Sequence, residues 1–476
     1  MKGEKTVGNF IKLPARASLW YTASAAVTKG IGMLATPIFT RILSPEEYAQ
    51  FPLFISWLGI IGAMCSKDPS AVAIIGGIEK FKDKKGEFIK ASLGFNLTLV
   101  AVFCILFFAL SSVFGNFTGL PRAVEYMLFI QLFFDTVTHH KVALWRFSYR
   151  GAPILLVNIT SAVSAFLLGV FLSDLGGESR VIALLLATGV FALFFFGKTV
   201  SERGSFFDGR AWRYLFVSSV PLIPQLLASA IATVTDKLMI RAYFGKGAVG
   251  KYSVAHSLGV CTSFISAALG YALRPWILRK LGKGECSEIV RICDVSISLL
   301  SLISLLLIAI SPELMLLLAP RSYSDALFAV FPIALSVLPA FANGLLTIGF
   351  IHEGKSRLCI FPAITALGIN LLTNTLFFRY FPYTSAAISS LVSSVTGFLL
   401  SYLFYTRTGA RLFSFRRAAS YFTVSLFAGA ALFIMRKLLV LRLILFLLIC
   451  TLSLPYIKSI IRLIREPKRI KNENEG

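Results

Sequence analysis

Gly349 to Ser356 reads G-F-I-H-E-G-K-S and fits the phosphate-loop pattern G-x-x-x-x-G-K-[ST]. How this stretch is read decides the fold. A phosphate loop needs a strand that delivers a Gly-rich turn onto a helix N-terminus, so that backbone N–H groups meet the phosphates. That geometry belongs to a water-soluble α/β domain. Here the pattern lies between two long apolar runs, and the polar connection is only His352 to Arg357. No strand pattern precedes it. The octapeptide therefore reads as a turn between membrane helices, with Lys355 and Arg357 as interfacial anchors. The sequence predicts no ATP binding there.

Composition agrees. The chain is 56% hydrophobic and 13% aromatic, with 15% charged residues, against roughly 25% in soluble proteins. The class expected is an all-α polytopic membrane protein. The net charge of +24 would suggest nucleic acid in a soluble chain. Here the basic residues punctuate apolar runs, so they read as topology signals and contacts to membrane lipids. The cysteines, Cys65, Cys104, Cys261, Cys286, Cys293, Cys359 and Cys450, form no C-x-x-C pair. Neither a metal site nor a disulfide framework is expected, and no cofactor. The first apolar run is long and ends in T-R-I-L-S-P, so it reads as a first membrane helix rather than a removable signal peptide.

With roughly 20 apolar residues per span, the sequence holds about 14 candidate transmembrane helices: 18–40, 48–66, 89–113, 123–144, 152–173, 181–198, 214–239, 249–273, 292–318, 326–350, 358–380, 384–406, 418–436 and 442–461. The positive-inside rule tests the count. With the N-terminus in the cytoplasm, Lys and Arg favour the cytoplasmic segments over the outer loops by about three to one, alternating along the chain. Both termini are then cytoplasmic. Trp20, Trp145, Trp212 and Trp276 each fall beside a basic residue at a predicted cytoplasmic helix end, where an interfacial belt places them.

The chain also repeats. Arg41 to Gly59 reads R-I-L-S-P-E-E-Y-A-Q-F-P-L-F-I-S-W-L-G, and Arg241 to Gly259 reads R-A-Y-F-G-K-G-A-V-G-K-Y-S-V-A-H-S-L-G. Each follows a long Pro-containing span, crosses a short turn and re-enters through an aromatic, Phe51 or Tyr252. Two six-helix lobes related by an internal repeat fit this, residues 1–200 and 201–407, followed by two additional helices and a basic tail in 408–476. Such repeats with a cleft between them are a transporter signature.

The two repeated stretches carry a resemblance. A-T-P-I-F-T-R-I-L-S-P-E-E-Y-A-Q-F, Ala35 to Phe51, and P-L-I-P-Q-L-L-A-S-A-I-A-T-V-T-D-K-L-M-I, Pro221 to Ile240, with Y-F-G-K-G-A-V-G-K-Y-S-V-A after it, resemble bacterial polysaccharide flippases. These are the O-antigen/teichoic-acid exporters of the superfamily that also holds multidrug exporters and the lipid II flippase. Ala49 departs from the glycine common there, which Gly250 retains. The resemblance implies a flippase in the bacterial cytoplasmic (inner) membrane. It would translocate an undecaprenyl-pyrophosphate-linked oligosaccharide repeat unit by alternating access, for surface polysaccharide biosynthesis such as lipopolysaccharide or capsule. It also implies work beside a polysaccharide polymerase and glycosyltransferases, with H+ or Na+ as a coupling ion.

Such a cavity needs polar helix faces, and each charge in the bilayer costs about 2.5–3.5 kcal/mol unless paired or hydrated. Thr22, Lys29 and Thr36 form one stripe; Gln131, Asp135, Thr138 and His139 a second; Gln225, Ser229, Thr233 and Asp236 a third; Asp294, Ser298 and Ser301 a fourth. Lys29 reads as a pyrophosphate contact or as a structural pair with Asp135. Asp236 reads as a cavity group or a local partner of Lys237 and Arg241. Lys237 and Arg241 are candidates to receive the pyrophosphate after the switch. His139, His140 and His256 read as packing residues or proton couplers. Asp294 reads as a cap or interface charge. The N-x-T matches at Asn96, Asn116 and Asn158 are discounted as glycosylation sites. An ion-coupled multidrug or small-molecule exporter of the same fold is the alternative, with Asp135 as its coupling carboxylate. A membrane enzyme is disfavoured, because the Lys-rich loop near 67–88 lacks a His/Asp/Glu cluster.

Overall fold

The computed structural model describes residues 2–65, 74, 77, 78, 80–109, 118–219, 223–282, 286–353, 355–378, 382–406 and 412–451. The expected basic tail from Lys458 to Lys471, the end of the 442–461 span, Asn116, Gly354 and the side chains of Thr22, Gln225 and Ser229 lie outside them. No strand occurs among the described residues. In chain order the helices are α1 (Lys2–Ile42), α2 (Pro45–Met64), α3 (Lys85–Ala109), α4 (Arg122–Phe147), α5 (Gly151–Phe171), α6 (Ser179–Val200), α7 (Gly209–Ser219), α8 (Ile223–Phe244), α9 (Lys246–Gly259), α10 (Thr262–Gly282), α11 (Cys286–Leu318), α12 (Val330–His352), α13 (Ile360–Phe377), α14 (Pro382–Thr406), α15 (Phe415–Ile434) and α16 (Leu439–Thr451).

Among the described residues 8 helices are singly long and apolar enough to cross a membrane, or 9 if the bent pair α9–α10 is one span. Helices α1, α4 and α8 fall outside that set, and they carry Lys29, Asp135, Asp236 and Lys237. Large apolar side chains such as Leu34, Phe171, Ile434 and Val440 are exposed, as lipid contact requires. The chain is a multi-pass membrane protein. The expected span 249–273 bends by 46° between α9 and α10. At this bend Gly259 lies so close to Ile333 that a Cβ would overlap it.

By packing, the chain falls into two compact units, Met1–Val254 with Leu318–Pro320, and Ala255–Leu317 with Arg321–Gly476. In the first unit α1 packs on α5, α5 and α4 on α6, and α3 on α4 and α7. Leu93, Val137, Val157, Ala192 and Phe195 form the buried centre where α3 to α6 meet. Helix α2 starts where Ser44 and Glu47 cap each other's backbone N–H groups and Pro45 takes the first position, which needs no N–H partner. It packs against α8. The repeated turns meet along this seam. A Cβ on Gly250 would fall on the Pro45 carbonyl oxygen, so only glycine lets α9 come this close to α2.

In the second unit α12 is buried along most of its length and packs on α10, α14 and α15. The opening octapeptide is here. Gly349 is an interior residue of α12, and a Cβ on it would overlap the Tyr405 ring. Lys355 lies beyond the helix end, 3.3 Å from the Glu353 carboxylate. The first glycine therefore serves helix packing, and the strand-to-helix geometry of a phosphate loop is not present.

Pro312 interrupts the hydrogen-bond ladder of α11, since it has no N–H to offer the Ile308 carbonyl. Ser311 Oγ donates to that carbonyl at 2.9 Å. Arg442 Nη1 donates to the next one, Ala309 O. The same guanidinium grips Glu313, with Nη1–Oε2 at 3.1 Å and Nη2–Oε1 at 2.5 Å. Arg442 is 1% exposed, while the rest of α16 is exposed or half-buried. Arg442, the first residue of the expected span 442–461, is the point that fastens α16 to α11.

Two outcomes follow. Gly349→Leu overpacks the Tyr405 contact and lowers stability by about 1–3 kcal/mol, whereas Lys355→Ala stays within about 0.5 kcal/mol; thermal unfolding of the detergent-solubilised protein reads both. Arg442→Ala strands the Ala309 carbonyl at a cost of about 1–3 kcal/mol and speeds tryptic cleavage at Arg436 and Lys437, beside the released helix.

Candidate functional site

The first unit holds a half-open cavity of about 300 Å³. Helix α1 supplies Thr28, Gly32, Ala35 and Phe39, which recur at one-turn intervals on a single face. Helix α4 supplies Asp135, Thr138 and His139; α5 supplies Asn158 and Ser161; α6 supplies Arg180, Leu184 and Thr188. Aromatic rings of Phe51, Phe166 and Phe191 complete the wall.

The polar groups are ordered by one another. Gln131 Nε2 donates to Asp135 Oδ1 at 2.9 Å, and Thr188 Oγ1 donates to Gln131 Oε1 at 3.2 Å. That chain fixes the Asp135 carboxylate across α4 and α6. Asn158 Nδ2 donates to Ser24 Oγ at 2.8 Å, tying α5 to α1. The Arg180 guanidinium is seated among three rings, 4.0 Å from the Phe51 centroid, 4.7 Å from Phe39 and 5.1 Å from Tyr48. Such contacts hold a cation by the ring quadrupole.

Three polar atoms on this wall are buried without a hydrogen-bonding partner in the protein: Thr28 Oγ1, Thr138 Oγ1 and Arg180 Nη1. Buried polar atoms are nearly always bonded, so a set of orphans on one wall marks a place for water or ligand. Together the lining offers a cation, a carboxylate, an amide and several hydroxyls beside aromatic faces. This is the mix of a few placed polar groups on an apolar wall that ligand sites use.

Of the residues expected from the sequence, Asp135 and His139 come together here. His140 is buried behind them, its Nε2 2.9 Å from Ser92 Oγ, and serves packing between α3 and α4. Lys29 is exposed on α1, next to Thr28. Thr36 is buried and donates back to the Gly32 carbonyl at 3.1 Å. Asp236 and Lys237 do not line the cavity. They are buried in the α2–α8 seam, at 3% and 8% exposure. Lys237 Nζ donates to Ser56 Oγ at 2.5 Å and to the Pro52 carbonyl at 3.2 Å. The Tyr252 hydroxyl lies 3.5 Å from Asp236 Oδ2. Arg241 lies against Gly119, whose φ of 76° and missing Cβ leave room for the guanidinium. His256 is half-buried in α9, in the second unit. Asp294 is buried there and pairs with Arg417 at 3.0 Å, joining α11 to α15.

The sequence reading missed Arg180, Asn158, Ser161 and Thr188. Asn158 and Ser161 stand one helical turn apart in an apolar span, which was the available signal. Arg180 stands at a span end and resembled a loop charge.

The profile of the polysaccharide biosynthesis protein family matches residues 15–280, more than half of the chain. The chain belongs to that family. Among solved structures, this family member is similar to the lipid II flippase MurJ in its inward closed conformation, with 14% identity over 94% of this chain and 100% of that one, at a TM-score of 0.71. It is similar to an inward-facing multidrug resistance MATE transporter of the MOP superfamily, with 17% identity over 81% and 98% at a TM-score of 0.64. A MOP superfamily transporter from Pyrococcus furiosus gives 16% identity over 84% and 97% at a TM-score of 0.53. The fold is shared with these proteins. No curated protein sequence matches the chain significantly.

The α2–α8 seam yields a direct test. Lys237→Ala and Ser56→Ala each weaken it, and the double variant should cost less than the sum. A coupling of about 0.5–3 kcal/mol is expected from thermal unfolding of the four proteins.

Proposed function

We propose that this family member is a flippase. It moves an undecaprenyl-pyrophosphate-linked oligosaccharide repeat unit across the bacterial cytoplasmic membrane by alternating access, and supplies surface polysaccharide synthesis. The observation that carries the reading is the set of orphan polar atoms, Thr28, Thr138 and Arg180, on a wall that also holds Asn158, Asp135 and His139. Hydroxyl and amide groups match sugar hydroxyls, and a guanidinium matches phosphate oxygens. At about 300 Å³ the cavity holds part of such a substrate. Lys29 makes first contact with the pyrophosphate at the exposed face of α1. Lys237 and Arg241 would serve it later, after the bonds of Lys237 to α2 are released. Asp236 and His256 complete the proposed path.

The termini are proposed to be cytoplasmic. The lobes 1–200 and 201–407 would be the moving parts, with H+ or Na+ as the coupling ion and a polymerase and glycosyltransferases as neighbours. The family's description as polysaccharide biosynthesis protein supports the substrate class, and the MurJ-like fold supports movement of a lipid-linked sugar. The ion-coupled multidrug exporter is the second reading. Asp135 in the cavity and the multidrug transporter among the similar structures favour it. Arg180 in the same wall opposes a cationic drug.

The test is accumulation of undecaprenyl-linked oligosaccharide in cells carrying Arg180→Ala, Arg180→Lys or Lys29→Ala, with the membrane level of each protein measured in parallel. Arg180→Ala is expected to slow translocation by about ten-fold or more, the worth of a charge-assisted hydrogen bond, and Arg180→Lys to lie between it and wild type. Unchanged lipid-linked sugar on deletion of the protein, together with altered drug sensitivity, would replace the flippase with the exporter.

A further inference from the structure

The end of the first unit that carries residues 80–90 places exposed bases beside exposed apolar side chains. Helix α7 is described from Gly209 to Ser219. One side of it, Ala211 and Leu215, is fully buried against Ile74, Ile78 and Phe88. Trp212 fixes the helix in place, its indole N–H shared between the carbonyls of Ala91 at 3.0 Å and Phe206 at 3.1 Å. The opposite side exposes Phe216 at 55% and Val217 at 64%, with Phe207 at 68% just before the helix. Arg210 and Arg213 are exposed among them.

Lysines from the neighbouring segment are held over aromatic rings. Lys80 Nζ lies 4.8 Å from the Tyr214 centroid and Lys85 Nζ 5.3 Å from Phe147. A ring seat fixes an ammonium in position without neutralising it. Lys90 is different. It lies 5.1 Å from the Phe206 centroid and donates to the carbonyls of Val200 and Glu202, so it caps the end of α6.

The acids that face this surface are largely engaged within the protein. Glu87 pairs with Lys84 at 3.0 Å. Asp208 accepts from the backbone N–H of Arg210 at 2.9 Å and of Ala211 at 3.3 Å, capping α7. Glu202 is half-buried beneath the surface, and Asp83 is exposed. Against them stand the exposed bases Lys80, Lys82, Lys85, Arg203, Arg210 and Arg213.

We propose that this surface binds the anionic phospholipid headgroups of the leaflet it borders. Exposed Phe and Val beside Arg suit the boundary between headgroups and acyl chains, where the rings enter the apolar layer and the guanidiniums reach phosphate. Clustered bases next to a membrane helix add attraction to an anionic leaflet. The binding is independent of what the protein transports.

The experiment uses the full chain, reconstituted in nanodiscs of phosphatidylcholine with or without phosphatidylglycerol, and in parallel delipidated and examined by native mass spectrometry for retained lipid. A variant with Lys80, Lys82, Arg210 and Arg213 all changed to Gln is compared. The wild type should retain phosphatidylglycerol over phosphatidylcholine and unfold at higher temperature in its presence, an advantage that falls with rising salt. Each base near an anionic surface is worth roughly a factor of five, so the variant should lose the preference by about ten-fold or more. Equal unfolding temperatures of the two proteins in pure phosphatidylcholine show that the variant folds. No phosphatidylglycerol preference in the wild type, or an undiminished preference in the folded variant, overturns the proposal.

Discussion

Hydrocarbon offers no hydrogen bonds, and every other feature of this protein answers to that constraint. A backbone carbonyl released from its ladder, or a charge on a helix face, must find a partner inside the protein. The carbonyls around Pro312 find Ser311 and Arg442. The Lys237 ammonium finds Ser56 and the Pro52 carbonyl. Asp294 finds Arg417. Apart from the Ser311 bond, which lies within α11, each of these joins two helices that lipid alone would not press together, because lipid tails are as apolar as the helix surfaces. The polar groups are therefore also what fastens the bundle. Glycines at positions such as 250 and 349 let the helices approach closely enough for the bonds to form.

The cavity is where this rule is relaxed. Thr28, Thr138 and Arg180, which line it, each hold a buried polar atom that no protein group bonds. Beside them Asp135 is held through Gln131 and Thr188, and Asn158 through Ser24. A site whose orienting bonds are made while its outward-facing ones are not is already organised for a polar ligand. That contrast separates the cavity from the α2–α8 seam, where buried charges are spent on the protein itself.

Much of the architecture was legible because helix formation in a membrane needs little beyond apolar length. The S-P-E-E turn announced the start of α2 through its capping chemistry, and the spacing of Asp135 and His139 put them on one face. Where the sequence misled, a charge had a partner that only tertiary packing could name. Lys237 reads as a cavity cation, and the bonds it makes to Ser56 and the Pro52 carbonyl appear only once α2 is laid beside α8. Arg442 opens a predicted span, and its role depends on a proline more than a hundred residues away. Arg180 stands where an interfacial anchor would stand, and its seat is assembled from rings on two other helices. In each case the residue type was visible and the environment was not.

The seating of Arg180 has a consequence for how a ligand is chosen. A guanidinium paired with a carboxylate presents a dipole, whose field fades quickly with distance. One resting on rings of Phe39, Tyr48 and Phe51 keeps its whole monopole, and in surroundings of low dielectric that monopole is felt several ångströms away. The wall carries charges of both signs, Asp135 and Arg180, and under the proposed function the ring-seated guanidinium is the group whose field would reach an arriving phosphate before any hydroxyl is touched.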